Sequence, residues 1–337
     1  MGIRNFYTFL SKYAPRALQK TTLHNYRNKT LGIDANLLLY KLLENNIKSD
    51  SIDYETYYFL LIKIISHASR YNIKLLFVFD GPTPDIKKKT VKIRQHSRYK
   101  AKQILKEFIE TRNSYSIDTD ITETELKKKE ISLKLDSIHL SYQLIEDTKK
   151  FLLNSGISFM DAKHEADSQL AYLSKINAID GIITNDYDIL TFGGVKIIVN
   201  LFDYIYKTNN YCKTAYEINL NTVLFYLDIT FNSFIDLCIL MGTDYSCKPD
   251  ISFDDAYLYI KMYHTFDSII KLVPMIVIPD NLNYELIFKY FTDCYAHEYI
   301  PKILDINAIK IIKYIYTMTQ FTDKTHKNFI FLLNRKY

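Results

Sequence analysis

Seven carboxylates recur in five short segments of this 337-residue chain: Asp34 in LGIDANLLLY, Asp80 in LLFVFDG, Glu165 and Asp167 in HEADSQL, Asp186 and Asp188 in ITNDYDIL, and Asp244 in LMGTDYS. Four of these segments read as a strand or apolar run that ends on an acid. An ionised carboxylate against a low-dielectric core is costly unless positive charge offsets it, and hard divalent cations do that with oxygen ligands alone. Beyond Asp80 the run DIKKKTVKIRQHSRYKAK places Lys87, Val91, Arg94 and Arg98 at helical spacing, so that Lys87, Arg94 and Arg98 share one face and can converge on one phosphate.

Acids for metals and bases for developing charge are the parts of phosphodiester hydrolysis with two divalent ions. Such a pair, about 4 Å apart, activates a water and bridges the scissile phosphate. Lys87 and Arg94 would offset charge on the phosphoryl oxygens. Asp34 and Asp80 are expected to hold a first Mg²⁺ with Glu165 and Asp167 nearby, and Asp186, Asp188 and Asp244 a second. Mn²⁺ suits the same oxygens. Each segment also has an ordinary reading. Asp34 could cap a helix, and Asp80 could serve an Asp-Gly-Pro turn. Glu165 and Asp167 could charge a first helical turn. Asp186 and Asp188 could be a turn pair, and the basic run a solvated face or a nuclear localisation patch. The joint occurrence of all of them, in this order, favours the site.

The elements that must position these residues are short. Runs 30–33, 73–79, 157–160, 181–184 and 195–200 read as strands, with helical stretches such as 167–176 between them. A mostly parallel α/β sheet with helices on both faces follows, and ligands of such sheets bind beyond the carboxyl ends of the strands, where Asp34, Asp80 and Asp186 fall. Residues 87–150 contain no glycine or proline and dense charge, including Lys127 to Lys129 after the polar stretch 113–125, which predicts helices broken by a mobile link. The last 95 residues contain no glycine and are expected to be helical.

Composition sets looser bounds. The net charge of +5 and pI of 8.7 are compatible with an anionic partner. Cys212, Cys238, Cys247 and Cys294 show no paired spacing, which argues for free thiols rather than a zinc site or a disulfide framework. No apolar stretch is long enough to predict a membrane span, and the N-terminus lacks a signal-peptide pattern. Phe6 stands where a myristoylation motif wants Ser or Thr.

The segments MGIRNFYTFL, LGIDANLLLY, LLFVFDGPTPDIKKKTVKIR, HEADSQLAYLSK, ITNDYDILTFGG and LMGTDYS resemble the successive motifs of the flap endonuclease and structure-specific 5′ nuclease family, over residues 1 to about 245. Lys87 and Arg94 match the family's catalytic pair by their offsets from Asp80. Tyr40 matches an aromatic that stacks on a base, and Gly2 lies near the family's active site. The resemblance implies a PIN-like nuclease fold with a helical arch and a metal-dependent nuclease acting on DNA with duplex/single-strand junctions. It divides the chain into an N-terminal nuclease part (1–112), an arch (113–150), an internal nuclease part (151–245) and a helical C-terminal region (246–337). Within the family, the Trp-less, Tyr-rich chain is most similar to the divergent flap-endonuclease-like nucleases of poxviruses, associated with replication, recombination and break repair. That implies a cytoplasmic viral replication site, or the nucleus for a cellular member. Replication or recombination proteins are the implied partners.

Two stretches depart from the family pattern. Where it carries a glycine-rich helix-hairpin-helix loop with basic residues, this chain reads Asp250, Ile251, Ser252, Phe253, Asp254, Asp255, and acids there repel a phosphate backbone. The C-terminal THKNFIFLLNRKY shows no sliding-clamp motif. Asp167 stands in place of a more usual glutamate. A related RNA nuclease and a non-catalytic DNA-binding recombination scaffold remain as alternative readings.

Overall fold

The computed structural model describes residues 2–44, 53–118, 123–206, 214–245, 248–280, 282–293, 295–318 and 321–334. Among them are seven strands: β1 (Gln19–Lys20), β2 (Thr30–Asp34), β3 (Lys74–Phe79), β4 (Ser158–Asp161), β5 (Gly181–Ile183), β6 (Lys196–Val199) and β7 (Tyr216–Asn219). They form one sheet in the order β1-β7-β6-β5-β2-β3-β4. β2 to β6 run parallel, and β7 pairs antiparallel with both β6 and β1.

Successive strand residues face opposite sides, so a strand that is apolar throughout must be buried on both. In β3, Leu76 and Val78 enter one core while Leu75, Phe77 and Phe79 enter the other. β5 splits Ile182 from Ile183, and β6 splits Ile197 and Val199 from Ile198, in the same sense. The five strands expected from the sequence are the five parallel ones, and β3, β5 and β6 show this pattern most fully. The antiparallel strands β1 and β7, made of Gln-Lys and Tyr-Glu-Ile-Asn, carry no apolar run and so no such signal.

The chain moves outward from β2 to β3 and β4, then returns to place β5 and β6 on the other side of β2. The crevice between the carboxyl ends of β2 and β5 is thus the point where strand order reverses, the place such sheets offer a ligand. Gly32 in β2 lets the helix Ala166–Lys175 lie close over that strand: a Cβ there would come within 2.5 Å of Leu170 and 2.7 Å of Ile179. The first turn of this helix is thereby brought beside the end of β2.

The insertion folds as two helices, Lys88–Asp118 and Glu123–Ser137. The first runs unbroken through residue 112, where the sequence placed a domain boundary. A mobile link was expected between the helices of this insertion, and residues 119–122 between these two lie outside the described residues. Among the described residues, every regular element after Gly242 is a helix. Prolines 274, 279 and 301 fall in the helix-free stretches between them, where a missing N–H and a fixed φ stop helix propagation. Helices Phe253–Tyr263, Phe266–Leu272 and Tyr284–Thr292 join one core. Ala308–Ile315 and Asp323–Asn334 join the other, beside Tyr54–Arg70. The C-terminal region therefore covers both faces of the sheet. Cys238 is a buried free thiol, and the other three cysteines lie outside the described residues. No single helix among the described residues is long and apolar enough to cross a membrane.

Candidate metal and phosphate site

All seven acids meet at the carboxyl edge of the parallel strands. Asp34 is the last residue of β2, Asp80 follows β3, Glu165 and Asp167 open the helix after β4, and Asp186 and Asp188 follow β5. Asp244 arrives from the other side, just after the buried helix Phe231–Met241. The ordinary readings of these acids are also true, one oxygen at a time. Asp34 Oδ1 accepts the Leu37 N–H at 3.0 Å and so caps the helix Ala35–Glu44. Asp80 Oδ1 accepts the Ala166 N–H at 2.9 Å, capping the helix Ala166–Lys175 from a neighbouring strand. Asp186 Oδ1 accepts the Asp188 N–H at 3.2 Å. Local hydrogen bonding fixes the carboxylates in place without using up their lone pairs.

What remains is a surplus of buried negative charge. Asp34, Glu165, Asp167 and Asp188 are 8%, 6%, 8% and 1% exposed, while Asp80 keeps open contact with solvent. Burial, reinforced by Asp80 and Asp186, pushes the Asp34 carboxyl up to about 8. Burial and the neighbouring Asp186 carry Asp167 and Asp188 well above the carboxylate range, and burial raises Asp186 itself. Asp167 Oδ1 and Asp188 Oδ1 are buried without any hydrogen-bond partner. Asp186, Asp188 and Asp244 each offer an oxygen, all within 4.8 Å of one another. Hard oxygens crowded at this spacing, with the Asp188 oxygen buried and unpartnered among them and that of Asp167 nearby, fit a divalent cation, which would lower these shifts together.

The bases reach this cluster from the arch. Lys87 lies in a single 3₁₀ turn, Asp85–Lys87, and the helix proper starts at Lys88. The three bases have separate partners: Lys87 pairs with Glu165, Arg94 pairs with Asp244 at 2.6 Å, and Arg98 sits 5.6 Å from the centre of the Tyr40 ring. Burial alone would lower Lys87, but Glu165 and Asp167 outweigh it and hold the ammonium charged. Thr90 Oγ1 donates to the Asp244 carbonyl at 2.8 Å, so the start of the arch helix is tied to the last acid by both Thr90 and Arg94.

Gly2 has φ +81°, and a Cβ there would fall 2.0 Å from Asp186 Oδ1. Only glycine lets the backbone pass so close to the acids in that left-handed conformation. Two residues without a signal in the sequence complete the site. Tyr245 and Tyr290 donate to Glu165 Oε2 at 2.9 and 2.7 Å. Tyr245 adjoins Asp244, but nothing in the sequence singles out Tyr290.

The acid-rich stretch 250–255 is differently made. Ser252 caps the helix Phe253–Tyr263, accepting the Asp255 N–H at 3.0 Å and donating to Asp255 Oδ2 at 2.7 Å. Asp254 Oδ1 accepts from Lys12 at 2.8 Å and from the Tyr13 hydroxyl at 2.6 Å. The start of this helix, where an anion would dock, carries the chain's own carboxylates.

Residues 1–101 match the XPG N-terminal domain and residues 156–244 the XPG I-region. The chain is 30% identical over 310 residues to flap endonuclease 1 of Cryptosporidium parvum, covering 86% of this chain and 60% of that protein. It spans 50–60% of the length of the first curated relatives it matches. Among solved structures it is similar to the catalytic core of Rad2 in complex with DNA substrate (TM-score 0.71, 18% identity, 98% of this chain and 100% of that one). It is also similar to human GEN1 in complex with Holliday junction DNA (TM-score 0.65, 14% identity, 98% and 77%). These structures share its fold.

Proposed function

We propose that this chain, which belongs to the flap endonuclease/XPG family, is a Mg²⁺-dependent, structure-specific DNA nuclease that hydrolyses phosphodiesters at duplex/single-strand junctions. The observation that carries this is the meeting of seven acids at the β2–β5 crevice, with two buried oxygens left unpartnered and Lys87 and Arg94 beside them.

Asp186, Asp188 and Asp244 would hold one ion, and Asp34, Asp80, Glu165 and Asp167 the other. Divalent ions at these positions supply Lewis-acid polarisation of a phosphoryl oxygen and a water that ionises near neutral pH. The chain's own residues do the rest. Lys87 and Arg94 exchange their carboxylate partners for phosphoryl oxygens as charge develops there, Arg94 in a two-pronged contact that Lys cannot make. Tyr40, gripped by Arg98, offers a ring face to a base next to the scissile phosphate, a contact tolerant of sequence. The bare backbone at Gly2 lets the N-terminal segment pass directly against Asp186 and Asp188 at the site. The 3₁₀ turn Asp85–Lys87 and the helix Lys88–Asp118 carry the bases, and with Glu123–Ser137 this arch would flank the path of a single strand.

A role in replication, recombination and repair rests on the family resemblance, and a viral source on the Trp-less, Tyr-rich composition. The test is cleavage of labelled 5′-flap, nicked, Holliday-junction, single-stranded DNA and matched RNA substrates in Mg²⁺ or EDTA. Cleavage at the flap junction, lost in EDTA and in Asp186→Ala, is expected. Survival of every DNA substrate, or preferential cutting of RNA, would overturn the reading.

A further inference from the structure

Glu165 is the one acid in the cluster whose oxygens are all engaged by donors. Lys87 takes Oε1, and the hydroxyls of Tyr245 and Tyr290 take Oε2 at 2.9 and 2.7 Å. As the residue preceding the helix Ala166–Lys175, Glu165 makes no capping bond with its side chain, so these contacts alone set its direction. Both phenols are held from behind. Tyr290 is 6% exposed and stands 5.3 Å from Tyr245, 5.6 Å from Phe192 and 5.2 Å from Tyr295, ring to ring. Phe291 and Phe192 close the cage around Tyr245.

Tyr290 comes from the helix Tyr284–Thr292, far along the chain from the acids. Nor does it act alone. Ser168 Oγ donates to the Tyr295 carbonyl at 3.3 Å, and Gln169 exchanges two bonds with the backbone of His297, at 3.0 and 2.7 Å. The stretch from Tyr290 to His297 thus braces the first turn of the helix that carries Glu165 and Asp167.

We propose that Tyr290, together with Tyr245, is a positioning residue: the two phenols hold Glu165 Oε2 so that Oε1 alone faces Lys87 and the cation, and through Tyr290 the C-terminal region sets the geometry of the nuclease site. This rests on the nuclease reading above. A phenol pair suits the task because it donates two hydrogen bonds to one oxygen without adding charge to a cluster whose cation must supply it. Partners of this kind orient a ligand and are worth about 10–100-fold in metal affinity or activity.

The test compares Tyr290→Phe, Tyr245→Phe and Tyr295→Phe with the unaltered protein. Tyr295→Phe serves as control because its hydroxyl reaches Asp293, at 3.4 Å, and not Glu165. Divalent binding is read from the rise in melting temperature with Mg²⁺ concentration, alongside single-turnover cleavage and DNA affinity. Tyr290→Phe is expected to raise the Mg²⁺ concentration at half effect about tenfold and to slow cleavage, with DNA affinity unchanged. Tyr245→Phe should do the same and carries the test if Tyr290→Phe does not fold. Tyr295→Phe should leave the Mg²⁺ midpoint in place. Unchanged or tighter Mg²⁺ binding in both Glu165-facing variants, or an equal shift in Tyr295→Phe, would overturn the proposal. An unaltered protein with neither a Mg²⁺ response nor cleavage would remove the nuclease reading, and this proposal with it.

Discussion

The acids at the β2–β5 crevice and the acids at the start of the helix Phe253–Tyr263 are similar in density and opposite in construction. In the second group each carboxylate has a donor: Lys12 and Tyr13 for Asp254, and the Ser252 hydroxyl for Asp255. In the first, Asp167 and Asp188 bury an oxygen that meets no donor. Protonation shifts differ in the same sense: Asp254 is held below the carboxylate range by Lys12 and Tyr13, while burial raises Asp34, Asp167 and Asp188. A satisfied acid explains itself by local structure. An unsatisfied buried one requires something else to be there.

The largest effect that separates the two groups should come from the bases. Lys87→Ala or Arg94→Ala is expected to slow single-turnover cleavage by about 10²–10³, the range seen when a transition-state donor is removed, with little change in DNA affinity. Equal losses in binding and turnover would make these residues anchors instead. A smaller effect lies in the pH dependence of stability in protein freed of divalent ions. The folded Asp34 carboxyl is raised from 3.8 to about 8, so the folded state binds more protons than the unfolded one between those values. Melting temperature should therefore fall as pH rises from about 4 to about 8, and Mg²⁺ should remove that slope. A melting temperature that climbs over this interval would mean the cluster is stabilised by its ionised form. The smallest effect belongs to the exposed group. Asp254→Ala is expected to leave cleavage within about twofold and melting little changed, as for most surface substitutions. A marked gain in duplex affinity would show that this acid had been repelling a backbone.

Much of this was legible in the sequence because it rests on short-range patterns. Apolar runs ending on Asp34 and Asp80 marked buried parallel strands, and the acids themselves marked the edge where the site lies. What escaped had no local signature. β1 and β7 are held by pairing to each other and to β6, with mostly polar residues that any loop could contain. Helical spacing suggested a shared face for Lys87, Arg94 and Arg98 but not their partners, Glu165, Asp244 and the Tyr40 ring, which only tertiary packing supplies. Tyr290 is one tyrosine among 29, and only tertiary packing brings it to Glu165.

The central claim is that the crevice acids are held for a cation at the expense of the folded state. The most direct test is Asp188→Asn, the neutral isostere of the most deeply buried acid, measured for melting temperature without divalent ions and for single-turnover cleavage with Mg²⁺. A higher melting temperature together with a loss of cleavage is predicted, since repulsion is relieved while a ligand oxygen is removed. A lower melting temperature with cleavage retained would contradict the account and make Asp188 an ordinary structural acid.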